Sequence, residues 1–350
     1  MSYQIPKFRH PELPVNELGY TKAAYEGSIS TLCAGCGHDS ISGAIVRACH
    51  ELSIEPHKIA KLSGIGCSSK TPTYFLGKSH GFNSVHGRMP SVVTGAAMAN
   101  RDLLYLGVSG DGDTASIGMG QFAHVVRRNL NMVYIVMNNG CYGLTKGQDS
   151  ATADEGSAGK KGDANPFGAI DLCGTALQMG ATFVARSFSG DKEQLVPLIK
   201  AGLMHKGFAM IDIISPCVTF NDHVGSTKSY AFTREHYHEA VHADYIPLRQ
   251  EIKASYAEGE VMPVQVHDGS TILLRKLDKE YDPTHRGKAF EYLRSKLREG
   301  EHVTGLIFVA EGSKDMHDMN GTTAVPLNQL PYEKLQPGAA GLAKILKRYA

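Results

Sequence analysis

The chain has 350 residues, 42% apolar and 20% charged, with 36 basic against 35 acidic side chains and a net charge of +1. That is the composition of an ordinary globular protein, long enough for one large domain with an extension or for two domains. It has no basic run to serve nucleic acid or a membrane surface, and no apolar stretch of the roughly 18 residues a membrane span needs.

Residues 1–20 are polar and proline-bearing, without the apolar centre of a signal peptide, so a cytoplasmic location is expected. Residues 1–30 read as an N-terminal arm. From Ser40 the spacing of Ile41, Ala44, Ile45 and Ala48 is helical, with Ser40 or Asp39 as cap. Residues 103–108 form a short apolar strand stopped by Ser109-Gly110, 117–128 a helix, and 132–137 a second buried strand. Strand, loop, helix and strand in that order make a βαβ unit and imply a parallel sheet. The alternation continues with a helix over 168–179, an extended segment over 181–186, a helix over 193–204 and a strand over 208–214. The expected fold class is α/β, a doubly wound parallel sheet over residues 31–220. Residues 221–350 are expected to be a C-terminal extension. Its first part, 222–285, is rich in His, Tyr and charge and would wrap the core or a partner; a helix at 288–298, a strand at 305–310 and a helix at 339–349 follow.

Gly110-Asp111-Gly112-Asp113 follows the first strand of the βαβ unit, and Asn138-Asn139 ends the second. Both loops emerge at the carboxyl edge of adjacent strands, where open α/β sheets bind ligands. A carboxylate and an amide oxygen there suit a hard cation such as Mg2+, which prefers oxygen and usually keeps phosphate oxygens too. The glycines let backbone N–H groups approach a diphosphate, and the next helix adds the partial positive charge of its N-terminus. Alone, each motif is a common turn or strand end; together, in this context, they resemble the thiamine-diphosphate signature. By that resemblance Asp111, Asn139 and the backbone carbonyl of Cys141 hold Mg2+, while Gly112, Asp113, Gly143 and Leu144 touch the cofactor.

The seven cysteines are unlike a disulfide framework in a cytoplasmic protein, and those that cluster point to metal or redox chemistry. Cys33-Ala34-Gly35-Cys36 by itself is open between zinc, iron–sulfur and dithiol chemistry. Cys67 lies in GIGCSS at 64–69 and Cys217 in Ser215-Pro216-Cys217, settings too rich in Gly, Ser and Pro for core cysteines. Four thiolates are what a 4Fe–4S cluster needs. Cys49 and Cys173 fall inside expected helices and read as core.

CAGCGH at 33–38, SGIGCSS at 63–69, HGR at 86–88, GDGD at 110–113, NNGCYGLTKGQ at 138–148 and SPCVTFN at 215–221 stand in one collinear series. The series resembles the β subunit of the 2-oxoacid:ferredoxin oxidoreductases, most of all those acting on 2-oxoglutarate. The resemblance implies one 4Fe–4S cluster on Cys33, Cys36, Cys67 and Cys217 beside the thiamine, with Ile65, Gly66, Cys67, Ser68 and His86 contacting the cofactor. Leu32 and Ala34 depart from residues often seen beside this CxxC, but neither is a ligand. The implied reaction is reversible, coenzyme A-dependent oxidative decarboxylation of 2-oxoglutarate to succinyl-CoA and CO2, with electrons leaving through the cluster to ferredoxin. Run backwards, the same site would fix CO2.

Thiamine enzymes hold the diphosphate with one α/β domain and the aminopyrimidine, through a Glu, with a second. Only the first kind is legible here, so an α subunit and an (αβ)2 assembly are expected. Lys70, His86 and Leu144 are the candidates nearest the reacting atoms. A cation at Lys70 would suit the distal carboxylate of 2-oxoglutarate; equally, it is a surface lysine or one that touches cofactor phosphates. Pyruvate or another 2-oxoacid as substrate is the nearest alternative. A non-redox thiamine decarboxylase has no use for four placed cysteines, and a structural zinc-binding subunit none for the GDGD and NN motifs.

Overall fold

The computed structural model describes residues 13–157, 164–246, 261–265, 271–276, 278, 281–336 and 338–350. Its first half contains α1 (Gly37–Glu51), β1 (Ile59–Ser63), β2 (His80–Asn83), α2 (Met89–Ala99), β3 (Leu104–Gly110), α3 (Met119–Arg127), β4 (Met132–Asn138), β5 (Cys141–Tyr142) and β6 (Gln148–Asp149). The second half adds α4 (Leu172–Met179), β7 (Phe183–Phe188), α5 (Lys192–Met204), β8 (Phe208–Ile214), α6 (Tyr230–Glu235) and β9 (Tyr237–Ile246). It closes with β10 (Val261–Gln265), β11 (Thr271–Lys276), α7 (Arg286–Arg298), β12 (His302–Val309) and a last helix at Gly338–Leu346.

One ten-stranded sheet runs in the order β10-β11-β9-β12-β7-β8-β4-β3-β1-β2, and β5 pairs with β6 apart from it. Every pairing from β2 across to β7 is parallel. Both β4 (MVYIVMN) and β8 (FAMIDII) are buried along their whole length, and a strand covered on both faces reads as a nearly continuous apolar run. Helices supply the cover: α1 packs on α5, and α3 on α2 and α4. Beyond residue 221, β12 joins β7 antiparallel and β9 parallel, and β9, β11 and β10 continue antiparallel. This part of the chain therefore contributes strands to the same sheet as well as covering it. Among the described residues no helix is long and apolar enough to cross a membrane.

Several elements differ from the sequence expectation. Helix α1 starts at Gly37, not Ser40, with Cys36 at its N-cap position and no side-chain cap. Its start is held by tertiary contact: His38 is buried with Nδ1 2.6 Å from Ser215 Oγ. Helix α4 begins at Leu172 because the Asp171 carboxylate caps Cys173 N–H and Gly174 N–H, each at 3.2 Å. Between β3 and α3, Gly112–Ile117 forms a π-helical turn, a form that recurs at functional sites. Strands β1 and β2 and helix α2 went unforeseen. Strand β1 hides a lysine, whose Nζ donates to the carbonyls of Phe75 (2.6 Å) and Leu76 (2.9 Å), and burial pulls its pKa down to about 8.

Candidate active site

Strands β1, β3, β4 and β8 are parallel neighbours, so the loops after Ser63, Gly110, Asn138 and Ile214 converge at one carboxyl edge of the sheet. There the first three of these loops, with His86, enclose a cavity of about 110 Å3 whose wall includes Ile65, Gly66, Cys67, Ser68 and His86 from one side. Asp111, Gly112, Asp113, Asn139, Cys141, Gly143 and Leu144 face them. Lys70 is not in this wall; it sits exposed on the short turn after Cys67. Size alone would favour a cleft of about 1100 Å3 along β1 and β2, lined in part by Lys61, Ser69, Thr73 and Asn83. The smaller cavity holds the buried carboxylates, the asparagine amide and two thiols, and so is the chemical site.

Asp111 is 1% exposed. Its Oδ2 accepts from Ser150 Oγ and, at 2.8 Å, from Thr152 Oγ1, while Oδ1 accepts from Asn139 N–H at 3.3 Å. Burial raises its pKa and these neutral donors pull it back. A buried carboxylate stabilised by neutral donors still lacks a compensating positive charge, which is what a cation supplies. Asn139 Oδ1 accepts from Cys141 N–H at 3.1 Å, and Asn221 Nδ2 donates to Asn139 O at 2.8 Å, so this loop is held from both sides. No three His, Cys, Asp or Glu side chains among the described residues are grouped to hold one metal ion. A carboxylate, an amide oxygen, a carbonyl and phosphate oxygens would not form such a group, and they fit Mg2+.

Asp113 is buried too, but its carboxylate is committed to the protein. It accepts from Gly87 N–H (2.8 Å), Ser109 Oγ (2.7 Å) and Ile65 N–H (3.4 Å), and it meets His86 Nδ1. Contact with a cofactor would therefore come from its backbone. Its carboxylate instead ties three loops together and orients the His86 ring, which packs edge-on to Tyr142 at 6.2 Å. Gly112 has to be glycine, since a Cβ there would run into the Tyr142 ring, whose hydroxyl donates to Gly112 O at 3.1 Å.

The thiols gather beside this cavity. A Cβ on Gly143 would lie 3.5 Å from Cys67 Sγ and 3.7 Å from Cys217 Sγ. Burial pushes the Cys36 thiol up to about 11, and the charges of Cys217, Asp39 and Cys67 add to it. Cys67 is raised by burial and by Cys217 and Cys33, with Lys70 acting the other way. Cys33 is exposed and accepts from Thr219 Oγ1 at 3.6 Å. The Cys141 thiol donates to Cys217, which drops to about 6, while Cys141 itself rises. Cysteines close enough that each thiolate would raise its neighbour's pKa fit a cluster, in which each takes its own iron and none needs to converge on a single ion. Cys49 and Cys173 are fully buried in the core, as expected from their helices. Ser150, Thr152, Ser109 and Tyr142, all in contact with the motif residues, were not singled out from sequence; a lone Ser, Thr or Tyr carries no signal of its own.

Residues 64–213 match the family model described as thiamine pyrophosphate enzyme, C-terminal TPP binding domain. The 2-oxoacid:ferredoxin oxidoreductase subunit beta of a Sulfolobus species is 40% identical over 201 residues, 57% of this chain and 66% of that one. The 2-oxoglutarate oxidoreductase subunit KorB of Mycobacterium tuberculosis is 40% identical over 54% of this chain and 51% of its own. For the 2-oxoglutarate synthase subunit KorB of Methanocaldococcus jannaschii the identity is 41%, over 54% of this chain and 69% of that one. The chain thus spans between about half and two thirds of the length of the curated relatives it matches. A solved structure, the 2-oxoglutarate:ferredoxin oxidoreductase from Magnetococcus marinus with 2-oxoglutarate, coenzyme A and succinyl-CoA bound, superposes with a TM-score of 0.68 at 31% identity. That likeness covers 95% of this chain and 92% of the other.

Proposed function

This chain belongs to the family of 2-oxoacid:ferredoxin oxidoreductase β subunits, and from that premise we propose that it is the diphosphate-binding half of a 2-oxoglutarate:ferredoxin oxidoreductase. The reaction is coenzyme A-dependent and reversible, between 2-oxoglutarate and succinyl-CoA plus CO2, with an α subunit as partner in an (αβ)2 assembly in the cytoplasm and ferredoxin as electron carrier. The observation that carries the reading is one cavity wall that joins the buried Asp111 to the Cys67 loop and to Gly143, where a Cβ would lie 3.7 Å from Cys217 Sγ. Thiamine diphosphate, when bound, supplies an electron sink for decarboxylation, Mg2+ neutralises its diphosphate, and a 4Fe–4S cluster takes electrons singly.

The chain's own residues do the holding. Asp111, Asn139 Oδ1 and the Cys141 carbonyl would bind Mg2+, and backbone N–H groups at Gly112 and Gly143 would face the diphosphate. Cys33, Cys36, Cys67 and Cys217 would hold the cluster. His86, locked by Asp113, and Ile65, Ser68 and Leu144 would bound the reacting end and exclude water.

The cavity of about 110 Å3 is small beside the roughly 300–1,000 Å3 of a complete ligand pocket. It suits the diphosphate end, with the remainder enclosed by a partner. Purified alone, the chain is therefore expected to be inactive, and turnover by the single chain would overturn the half-site reading. The decisive assay is anaerobic reduction of benzyl viologen by the co-purified complex with coenzyme A and a panel of 2-oxoacids. Activity with 2-oxoglutarate well above pyruvate is the expected result; the reverse order would refute the substrate assignment.

Lys70, exposed on the turn after Cys67, is the cation proposed for the distal carboxylate, in the part of the site that the partner would enclose. A charge-assisted hydrogen bond in a partly dry site contributes on the order of 1.5–3 kcal/mol, or about one to two decades in kcat/KM. Lys70→Met should cost 2-oxoglutarate that much and leave pyruvate little changed. Equal slowing of both would assign the lysine to the cofactor or the fold.

A further inference from the structure

We infer that a buried chain of side chains, Arg186–Asp212–Asn138–Thr152, sets the position of Asp111 and so the strength with which the site takes up Mg2+ and thiamine diphosphate. The inference rests on the metal site proposed above and adds positioning residues to it.

The chain starts with an anomaly in the sheet. Asp212 is 2% exposed in the middle of β8, otherwise an apolar strand. A charge there is costly unless paired. Its pair is Arg186, directly opposite on β7 and 8% exposed. Arg186 Nε donates to Asp212 Oδ2 at 3.0 Å, and Nη2 donates to Asp171, which in turn caps α4. Two strands and a helix thus hold the Asp212 carboxylate in one orientation.

The free oxygen of that carboxylate then acts on β4. Asn138 Nδ2 donates to Asp212 Oδ1 at 3.0 Å. A flipped amide would set two acceptors against each other, so Asp212 dictates which way Asn138 faces. Asn138 Oδ1 is thereby turned toward Thr152 Oγ1 at 2.9 Å, and the same hydroxyl stands 2.8 Å from Asp111 Oδ2. Thr152 has one proton and two acceptors. Asn138 Oδ1 and Asp111 Oδ2 therefore share that proton, and Asp111 is located by the shared hydroxyl together with Ser150. The chain ends on the candidate metal ligand at the cavity wall. Groups that orient metal ligands commonly change affinity by about ten- to a hundredfold when removed.

The test uses the co-purified complex, stripped of Mg2+ and thiamine diphosphate and then titrated with both. Thiamine diphosphate retained per β chain after gel filtration at graded Mg2+ is measured beside kcat at saturation and the melting temperature. Thr152→Val should raise the half-saturating Mg2+ concentration by about tenfold or more, a larger change than any fall in kcat at saturation. Thr152→Ser, which keeps the hydroxyl, should restore most of it. Asp212→Asn, which lets the Asn138 amide turn and so changes its share of the Thr152 proton, should shift the Mg2+ midpoint from wild type, and no shift would remove Asp212 from the chain. If Thr152→Val does not assemble, Thr152→Ala against Thr152→Ser gives the same comparison. A Mg2+ midpoint within twofold of wild type in the Val or Ala variant would overturn the inference, as would no recovery in the Ser variant. Asp111→Ala separates the levels: normal Mg2+ and cofactor uptake in that variant would refute the metal site itself, whereas loss there with no effect at Thr152 would refute only the chain.

Discussion

Asp111→Ala is expected to abolish retention of thiamine diphosphate while the complex keeps its brown iron–sulfur colour. The aspartate reaches the cavity from the turn after β3, 1% exposed, with donors from Ser150, Thr152 and Asn139 fixing both oxygens. Alanine removes the one anionic side chain proposed for Mg2+ and touches no thiol. The loss in half-saturating cofactor should exceed the roughly hundredfold upper range for groups that merely orient a ligand. Stability of the cofactor-free protein should move little or rise. Burial already holds the Asp111 pKa up, which marks the uncompensated carboxylate as a cost that alanine takes away. Cofactor per chain after gel filtration, visible absorbance and melting temperature together give the answer. Normal cofactor and Mg2+ binding by the variant would show that the GDGD loop has been misassigned.

The second large effect concerns the cysteines. Replacing Cys33, Cys36, Cys67 or Cys217 singly by alanine should remove most of the visible iron–sulfur absorbance, along with iron and acid-labile sulfide, in anaerobically purified complex. Cys49→Ala and Cys173→Ala should keep all three. These two side chains are fully buried in the core, so their truncation should act on stability, by about 1 kcal/mol for a small cavity. The contrast separates ligand from packing within one residue type, because colour and melting temperature should respond in opposite sets of variants. A full cluster in Cys217→Ala would defeat the four-ligand scheme, since Cys217 is the member contributed from the loop after β8.

How much of this was legible depended on how local each signal is. Strand β8 was read residue for residue, and β3 and β4 nearly so, because a parallel strand buried on both faces is a nearly continuous apolar run, one that β8 keeps despite its single Asp212. Strand β1 was not, because Lys61 and Ser63 interrupt the apolar run and only the carbonyls of Phe75 and Leu76 make the lysine tolerable. Strand β2 is short and exposed at the sheet edge, with no apolar pattern to find. Strand β9, with its His, Glu and Asp, owes its place to its neighbours β11 and β12 rather than to its own composition.

The loops that build the site were readable for the same reason the strands were. GDGD, NNG and the cysteine loops are each a few residues long, and their chemistry lies in backbone freedom, one carboxylate or one thiol. By itself the sequence determined the α/β class, the family and many of the residues that line the cavity, though not His38, Met137, Tyr142 or Thr145. Tertiary structure alone decided what those residues do to one another. It turned the Asp113 carboxylate onto Gly87, Ser109 and His86, started α1 at Gly37 through the contact of His38 with Ser215, and strung Arg186, Asp212, Asn138 and Thr152 behind Asp111. Such contacts join positions far apart along the chain. Hydrogen bonds of this kind leave no periodic or spacing pattern in a single sequence, because which partners meet is settled by the register of the strands that carry them.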